Sequence, residues 1–344
     1  MEVSTTKTGA ALDTLAQLRK RSRNKYITNG LIYKLVNLDS TLKKSYWNSY
    51  HCFNTIDQTG TKLSGMYCGQ RWCNQCNRIK TGKLLNGYMP ALKEMAAPYF
   101  VTLTIPTKPN NGKELPQKIE LMHKVIRNIS DMMRKRKTPL KAIRKLECTY
   151  KPDVNKFHPH FHLIVSGKEA AKELIKQWLV SFPDASRSAQ DIKPADNNSM
   201  KELFKYFSKL ITKNSAGANV FNPEALDTIF RAMKGKRVFQ SMGIKRVSEN
   251  IENHQVIEVK GIKPNVKVWQ YDDFKSDWID KEGNRLTGYV PSQIIKDIRG
   301  LPDIVPWDMV EKQMKAIKRF DQRKYYEERA EYWSEQIYNY LKTA

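Results

Sequence analysis

Alternation of apolar and polar positions picks out three strands in the middle of the chain. Over residues 99–105, Val101, Leu103 and Ile105 fall on one face and Thr102 and Thr104 on the other. Residues 146–150 give a second short strand, in which Glu147 and Thr149 share a face. The third runs from Phe157 to Val165, with His158, His160 and His162 on one face and Phe157, Phe161, Leu163 and Val165 on the other. The turn through Lys151, Pro152 and Asp153 is short, so the second and third strands are expected to pair antiparallel. Helical spacing takes over elsewhere. Residues 117–137 carry a stripe of Ile119, Met122, Ile126, Ile129 and Met133, and residues 168–180 point Leu174, Ile175, Trp178 and Leu179 inward. Residues 200–212 carry Leu203, Phe204, Phe207, Leu210 and Ile211. These elements predict an α+β domain whose antiparallel sheet holds the histidines on one face, with the helix 200–212 packed across them.

The flanks are less regular. Residues 10–22 have weak helical periodicity through Leu12, Leu15 and Leu18, followed by basic residues from Arg19 to Lys25. Residues 255–290 alternate in short stretches around a Lys281–Asn284 turn, which predicts small hairpins. Residues 302–306 read as a linker, and 307–342 as one long helix or two.

Charge adds a partner class. Sixty Lys and Arg against thirty-five Asp and Glu leave a net charge of +25 over 344 residues, a surface suited to a polyanion such as nucleic acid. No apolar run is long enough to span a bilayer, and residues 1–18 lack the apolar stretch of a secretory signal, so the expected location is cytoplasmic with no membrane partner. Cysteine usage agrees with a reducing compartment. Four of the five cysteines, Cys52, Cys68, Cys73 and Cys76, lie close together, and the Cys73-x-x-Cys76 spacing lets two thiolates reach one tetrahedral cation. Cys68 and Cys52 complete a structural zinc site, with His51 the alternative fourth ligand, in a region short of other core-forming residues. Reduced, unligated cysteines are the alternative, but three within nine residues are unusual in such a compartment, which favours zinc.

The histidine strand offers a second metal site of different character. Two imidazoles at i and i+2 on a strand can hold one cation side by side, with Glu147 or His158 as a third ligand. An exposed strand carboxylate paired with a lysine is the competing account of Glu147. On the helix at 200–212, Glu202, Tyr206 and Lys209 line one face, placing a phenol between a carboxylate and an ammonium. Ser199-x-x-Glu202 also fits a capping box. Phosphate contacts are expected from Arg71 beside the cysteines, the run Arg134, Lys135, Arg136 and Lys137 at a helix end, Lys205, and Lys236 with Arg237.

Taken together these blocks resemble the rolling-circle replication initiator (Rep) proteins of small plasmids and phages, within the HUH endonuclease superfamily. Phe100-Val-Thr-Leu-Thr104 is similar to the family's first motif, and His160-Phe161-His162 to its histidine–hydrophobic–histidine motif. Glu202-x-x-x-Tyr206-x-x-Lys209 is similar to the nucleophile motif of the small-plasmid branch, and Gly235 to Gly243 to a Gly-x-Arg block that follows it. The cysteine cluster and Leu146–Tyr150 also look like features of that branch, so the resemblance covers roughly residues 50–245.

The resemblance implies an HUH endonuclease-like central antiparallel sheet with flanking helices, an N-terminal cysteine-rich zinc region and a mixed C-terminal region. The chain is then expected in three parts: a basic N-terminal region, 1–95; a nicking and joining domain, 96–250; and, beyond the reach of the resemblance, a hairpin and helical region, 251–344, for DNA recognition, oligomerisation or plain packing against the catalytic domain. The resemblance further implies Mg²⁺ or Mn²⁺ on His160, His162 and a third ligand, and Tyr206 as the nucleophile that joins the 5′ end of nicked origin DNA. Lys209 would stabilise charge and Glu202 would activate water for the terminating cleavage. The DNA is single-stranded or an extruded hairpin, and host helicase and polymerase would follow. A transposase or relaxase of the same superfamily shares this chemistry, and a non-catalytic zinc-dependent nucleic-acid-binding regulator does not.

Overall fold

The computed structural model describes residues 11–203, 211–213, 219–247 and 256–299. The chain divides into two compact units, residues 1–77 with 250–344, and residues 78–249. In chain order the elements are β1 (Ala11–Thr14), α1 (Leu15–Leu35), α2 (Lys43–Tyr50), β2 (Thr55–Gly60), β3 (Lys62–Gly65) and α3 (Asn74–Lys93). Then come β4 (Pro98–Thr104), α4 (Leu115–Lys135), β5 (Ala142–Lys151), β6 (Lys156–Ser166), α5 (Lys168–Ser181), β7 (Asp191–Pro194) and α6 (Asn197–Leu203). The rest are β8 (Ile211–Lys213), β9 (Asn219–Phe221), α7 (Pro223–Met233), β10 (Phe239–Met242), β11 (Val256–Lys260), β12 (Asn265–Asp272), β13 (Asp277–Ile279) and α8 (Gln293–Arg299).

The first unit is built on a six-stranded sheet in the order β1-β11-β3-β2-β12-β13. The hairpins at 255–290 are therefore not a region of their own. Strand β12 pairs along the whole of β2, from Asn265 opposite Gly60 to Gln270 opposite Thr55, and β11 pairs with β3. Strands separated by some two hundred residues make one sheet, which regroups the chain relative to the sequence division at 95 and 250. Leu18, Phe53, Ile56, Leu63, Ile257, Val259, Trp269 and Trp278 form its core, and Cys52, Cys73 and Cys76 are buried in that core. The cysteine region is thus rich in apolar partners, contrary to the expectation of a core-poor segment. Helix α1 extends well past the weak periodicity at 10–22. It buries Ser22, Lys25, Thr28 and Asn29 along with Leu18, Leu31 and Ile32, so no clean apolar stripe marks it in sequence.

The second unit is built on a five-stranded antiparallel sheet, β10-β5-β6-β4-β7, with the histidine strand β6 in the middle. Registers bring Glu147 opposite His160 and Lys145 opposite His162 across β5–β6, and Thr104 and Thr102 opposite the same histidines across β4–β6. One face carries Phe100, Ile143 and Ile164, packed with Leu92 of α3 and Met200 and Leu203 of α6. On the other face Phe161 meets Trp178 of α5, ring centroids 5.9 Å apart, and His123 of α4 at 5.4 Å. Helix α4 buries Ile119, Met122, Ile126, Ile129 and Met133, the stripe expected of it. The helix expected over 200–212 ends earlier: Ile211 already pairs with Phe221 as strand β8, as β-branched Ile211 and Thr212 favour.

His123 carries a pH consequence. Burial, and after it the Arg144 guanidinium, hold its ring at about 4. The unfolded chain takes that proton near 6.5, so stability is full above 6.5, falls as pH drops, and levels off below 4. A fall from 6.5 to about 4 sets a ceiling of roughly 3 kcal/mol, reduced to on the order of 1 kcal/mol because the ring is only partly buried. Urea midpoints measured from pH 7.5 to 4.5 should fall more steeply for the wild type than for His123→Gln; parallel slopes would reject this assignment.

Candidate metal centre

Two groups of metal-ligating side chains assemble among the described residues: Glu147 with His160 and His162, and Cys52 with Cys68, Cys73 and Cys76. In each, the candidate ligand atoms all lie within 4.8 Å of one another.

In the first group the strand pleat does the assembling. His160 and His162 point to one face of β6 at i and i+2, and the β5 register delivers Glu147 to the same face. The Nε2 atoms of the two histidines face each other at 3.2 Å, close to the ~3 Å between neighbouring ligands of one small divalent cation. Their other nitrogens are occupied. His160 Nδ1–H donates to the His158 carbonyl at 3.0 Å, and His162 Nδ1 lies 3.1 Å from the Thr102 hydroxyl. A carbonyl only accepts, so the neutral His160 ring carries its proton on Nδ1 and leaves the Nε2 lone pair for a ligand. A Glu147 oxygen lies 3.8 Å from His162 Nε2.

Electrostatics keep the donors unprotonated. Burial, then the neighbouring His162, pushes His160 down to about 4, and burial likewise lowers His162. At Glu147 burial raises the carboxyl, but the Lys145 ammonium at 2.9 Å and the two histidines overcome it and leave it below the usual range. Neutral imidazoles beside a charged carboxylate are the donor set a hard divalent ion takes. His158 is not brought into the group. Its ring stacks on His160 with centroids 5.3 Å apart, and its backbone oxygen orients that residue instead.

Sequence reasoning missed Lys145 and Thr102. Lys145 is 1 % exposed and shares the ligand face of β5 with Glu147. A strand begun at Ala142 rather than Leu146 would have shown the i, i+2 relation.

Glu202, on α6, is close enough to His162 for its charge to raise that ring's proton affinity, as does Asp191. Tyr206, Lys209 and Lys205 lie outside the described residues. Among the expected phosphate contacts, Arg134 and Arg136 are exposed but paired with Asp131 and Glu173 at 3.0 and 3.4 Å, and Lys236 pairs with Glu120. Lys135, Lys137 and Arg237 are exposed, whereas Arg71 is half-buried.

In the cysteine group, Cys52 and Cys76 sulfurs are 3.4 Å apart and those of Cys68 and Cys76 3.6 Å. Tetrahedral zinc at ~2.3 Å from each sulfur places sulfurs at about 3.8 Å, so the cluster is nearly preformed. Backbone amides of Cys68, Gly69 and Gln70 point at Cys52, Cys76 and Cys68 sulfurs at 3.3, 3.2 and 3.4 Å, which favours thiolate. Thiol donation from the other three cysteines holds Cys68 well below the usual thiol range. Cys52 takes the fourth place. His51 stays outside the group, its ring edge-on to Tyr50 with centroids 5.1 Å apart.

A five-stranded antiparallel sheet with His160-Phe161-His162 on its central strand and helices on both faces defines the class, an α+β fold with a central antiparallel sheet and flanking helices. The family follows from comparison: the replication protein family profile matches residues 61–263, more than half of the chain. The chain belongs to that family, the Rep-type initiators of rolling-circle replication. No curated protein and no solved structure matches it. Among the described residues no helix is long and apolar enough to cross a membrane.

Proposed function

We propose that the protein nicks one strand of origin DNA by tyrosine transesterification and rejoins it when replication of the strand is complete. The observation that carries this reading is the pair of Nε2 atoms at 3.2 Å on the central strand, completed by Glu147. His160, His162 and Glu147 would hold Mg²⁺ or Mn²⁺, which when bound supplies positive charge to a scissile phosphate. Lys145 keeps the Glu147 carboxylate ionised and fixed, and Thr102 and the His158 carbonyl fix the rings. The reaction asks for a nucleophile near this face. Tyr206 is the residue proposed for that role.

In the forward step the Tyr206 oxygen, after losing its proton, attacks phosphorus. The bond from phosphorus to the 3′-oxygen breaks, that oxygen takes up a proton, and the 5′ end stays joined to tyrosine. The free 3′-hydroxyl primes synthesis by host polymerase, with host helicase opening the duplex. Lys209 would neutralise phenolate charge, and Glu202, whose charge already reaches His162, would activate water for the terminating cleavage. Zinc at the four cysteines would be structural: soft thiolates and a hard imidazole–carboxylate set keep the two metals apart.

The test is incubation with labelled single-stranded origin DNA and Mn²⁺, followed by a denaturing gel. Wild type should give a covalent adduct and Tyr206→Phe none; an adduct that survives Tyr206→Phe refutes the nucleophile. Tight binding without any adduct would favour the zinc-dependent regulator. Replication of a minimal plasmid supplied only with this protein separates an initiator from a transposase or relaxase.

A further inference from the structure

The face of the second sheet turned away from His160 and His162 holds a charge without its counter-charge. Arg144 alternates with Lys145 on β5 and so points to the opposite face from the metal ligands. It is 2 % exposed, lies over the Phe161 ring at 4.6 Å, and donates from Nη2 to His123 Nδ1 at 2.8 Å and to Gln240 Oε1 at 2.6 Å. Its Nε and Nη1 are buried with no hydrogen-bond partner, and so is His123 Nε2. Three buried polar atoms on two touching side chains are therefore unsatisfied. Buried guanidinium groups ordinarily meet a carboxylate or phosphate, often in bidentate fashion.

Among the described residues no carboxylate pairs with Arg144. The charges that bear on Arg144 are those of Arg237 and Arg127, both cations. At His123, the cations Arg144, Lys236 and Arg127 outweigh Glu120, which is already paired with Lys236. Arg127 on α4 and Arg237 before β10 are exposed, and their charges reach the buried Arg144. An oxyanion is the partner such a guanidinium ordinarily takes, and a net charge of +25 suits a polyanion such as nucleic acid.

We propose that Arg144, His123, Arg127 and Arg237 form a seat for a backbone phosphate of DNA on the face of the sheet opposite His160 and His162. The seat deepens the initiator reading and rests on it for the identity of the DNA. The cleaved strand meets the metal face, and a second segment of the same origin is gripped across α4 and β10. This contact is to phosphate and positions the DNA rather than reading its sequence.

Two measurements test it. Thermal unfolding in inorganic phosphate, against chloride at equal ionic strength, should show a stabilisation in the wild type that Arg144→Met and Arg127→Gln reduce or abolish. Duplex-origin binding measured over a salt series should lose about one unit of the logarithmic salt slope in Arg127→Gln, the signature of one phosphate contact. Should Arg144→Met fail to fold, the exposed Arg127→Gln still decides. Phosphate stabilisation with an unchanged salt slope would show a free-anion site and overturn the DNA assignment. The absence of both effects would overturn the seat altogether. Binding needs no cleavage, so a protein that shows the slope change yet forms no tyrosine adduct would contradict only the nicking reading.

Discussion

Alanine in place of His160 is expected to abolish Mn²⁺-supported nicking, by about a thousandfold or more, while leaving the fold intact. A divalent ion that neutralises a transferring phosphoryl group contributes several kcal/mol, and each 1.4 kcal/mol is tenfold in rate. His160 supplies one of two facing Nε2 atoms and lies directly opposite Glu147. Its loss leaves His162 and Glu147 as two donors that no longer bracket one position. The fold should survive because the ring is held by one backbone carbonyl and two neighbouring rings, while the same strand keeps Phe161, Leu163, Ile164 and Val165 wholly buried. Mn²⁺ titration by calorimetry and rate measurement on an origin oligonucleotide check both halves. A variant that loses Mn²⁺ binding but nicks at the wild-type rate would place the chemistry elsewhere.

Serine in place of Cys73 is expected to strike stability first. Structural zinc in small tetrathiolate sites is worth on the order of 10 kcal/mol or more, comparable to the whole stability of a domain. Cys73 is 1 % exposed within the core of the first unit, beside Leu18, Phe53 and Trp278, so the lost ligand also leaves a hydroxyl among apolar side chains. Zinc content by elemental analysis should fall, with a thermal midpoint lowered by ten degrees or more. Unchanged zinc at full occupancy would show that the cysteines are not ligands.

How much of this was legible in the sequence depends on how local each feature is. The three central strands of the second unit's sheet were, because Val101 and Leu103, Phe161 and Leu163 alternate within single strands and the β5–β6 turn is short, whereas the edge strands β7 and β10 were not. The histidine–glutamate group followed from the same alternation. Lys145 did not, since β5 begins four residues before the pattern at Leu146 becomes visible, and Arg144 with His123 is a meeting of β5 and α4 that no spacing encodes. The first unit was the least legible. Its sheet joins β2 and β3 to strands some two hundred residues later, and α1 buries polar Lys25 and Asn29 on what should be an apolar face. Residues 223–233 also went unread as a helix, although Asn222 caps Ala225 and Pro223 sits in its first turn.

The identity of the residue joined to DNA tests the proposed nicking most directly. The chain has sixteen tyrosines, so the adduct formed with single-stranded origin DNA and Mn²⁺ can be digested and its modified peptide sequenced by mass spectrometry. The nucleotide remnant is predicted on Tyr206 alone. A remnant on any other residue, or none while the DNA is still cut, would contradict it.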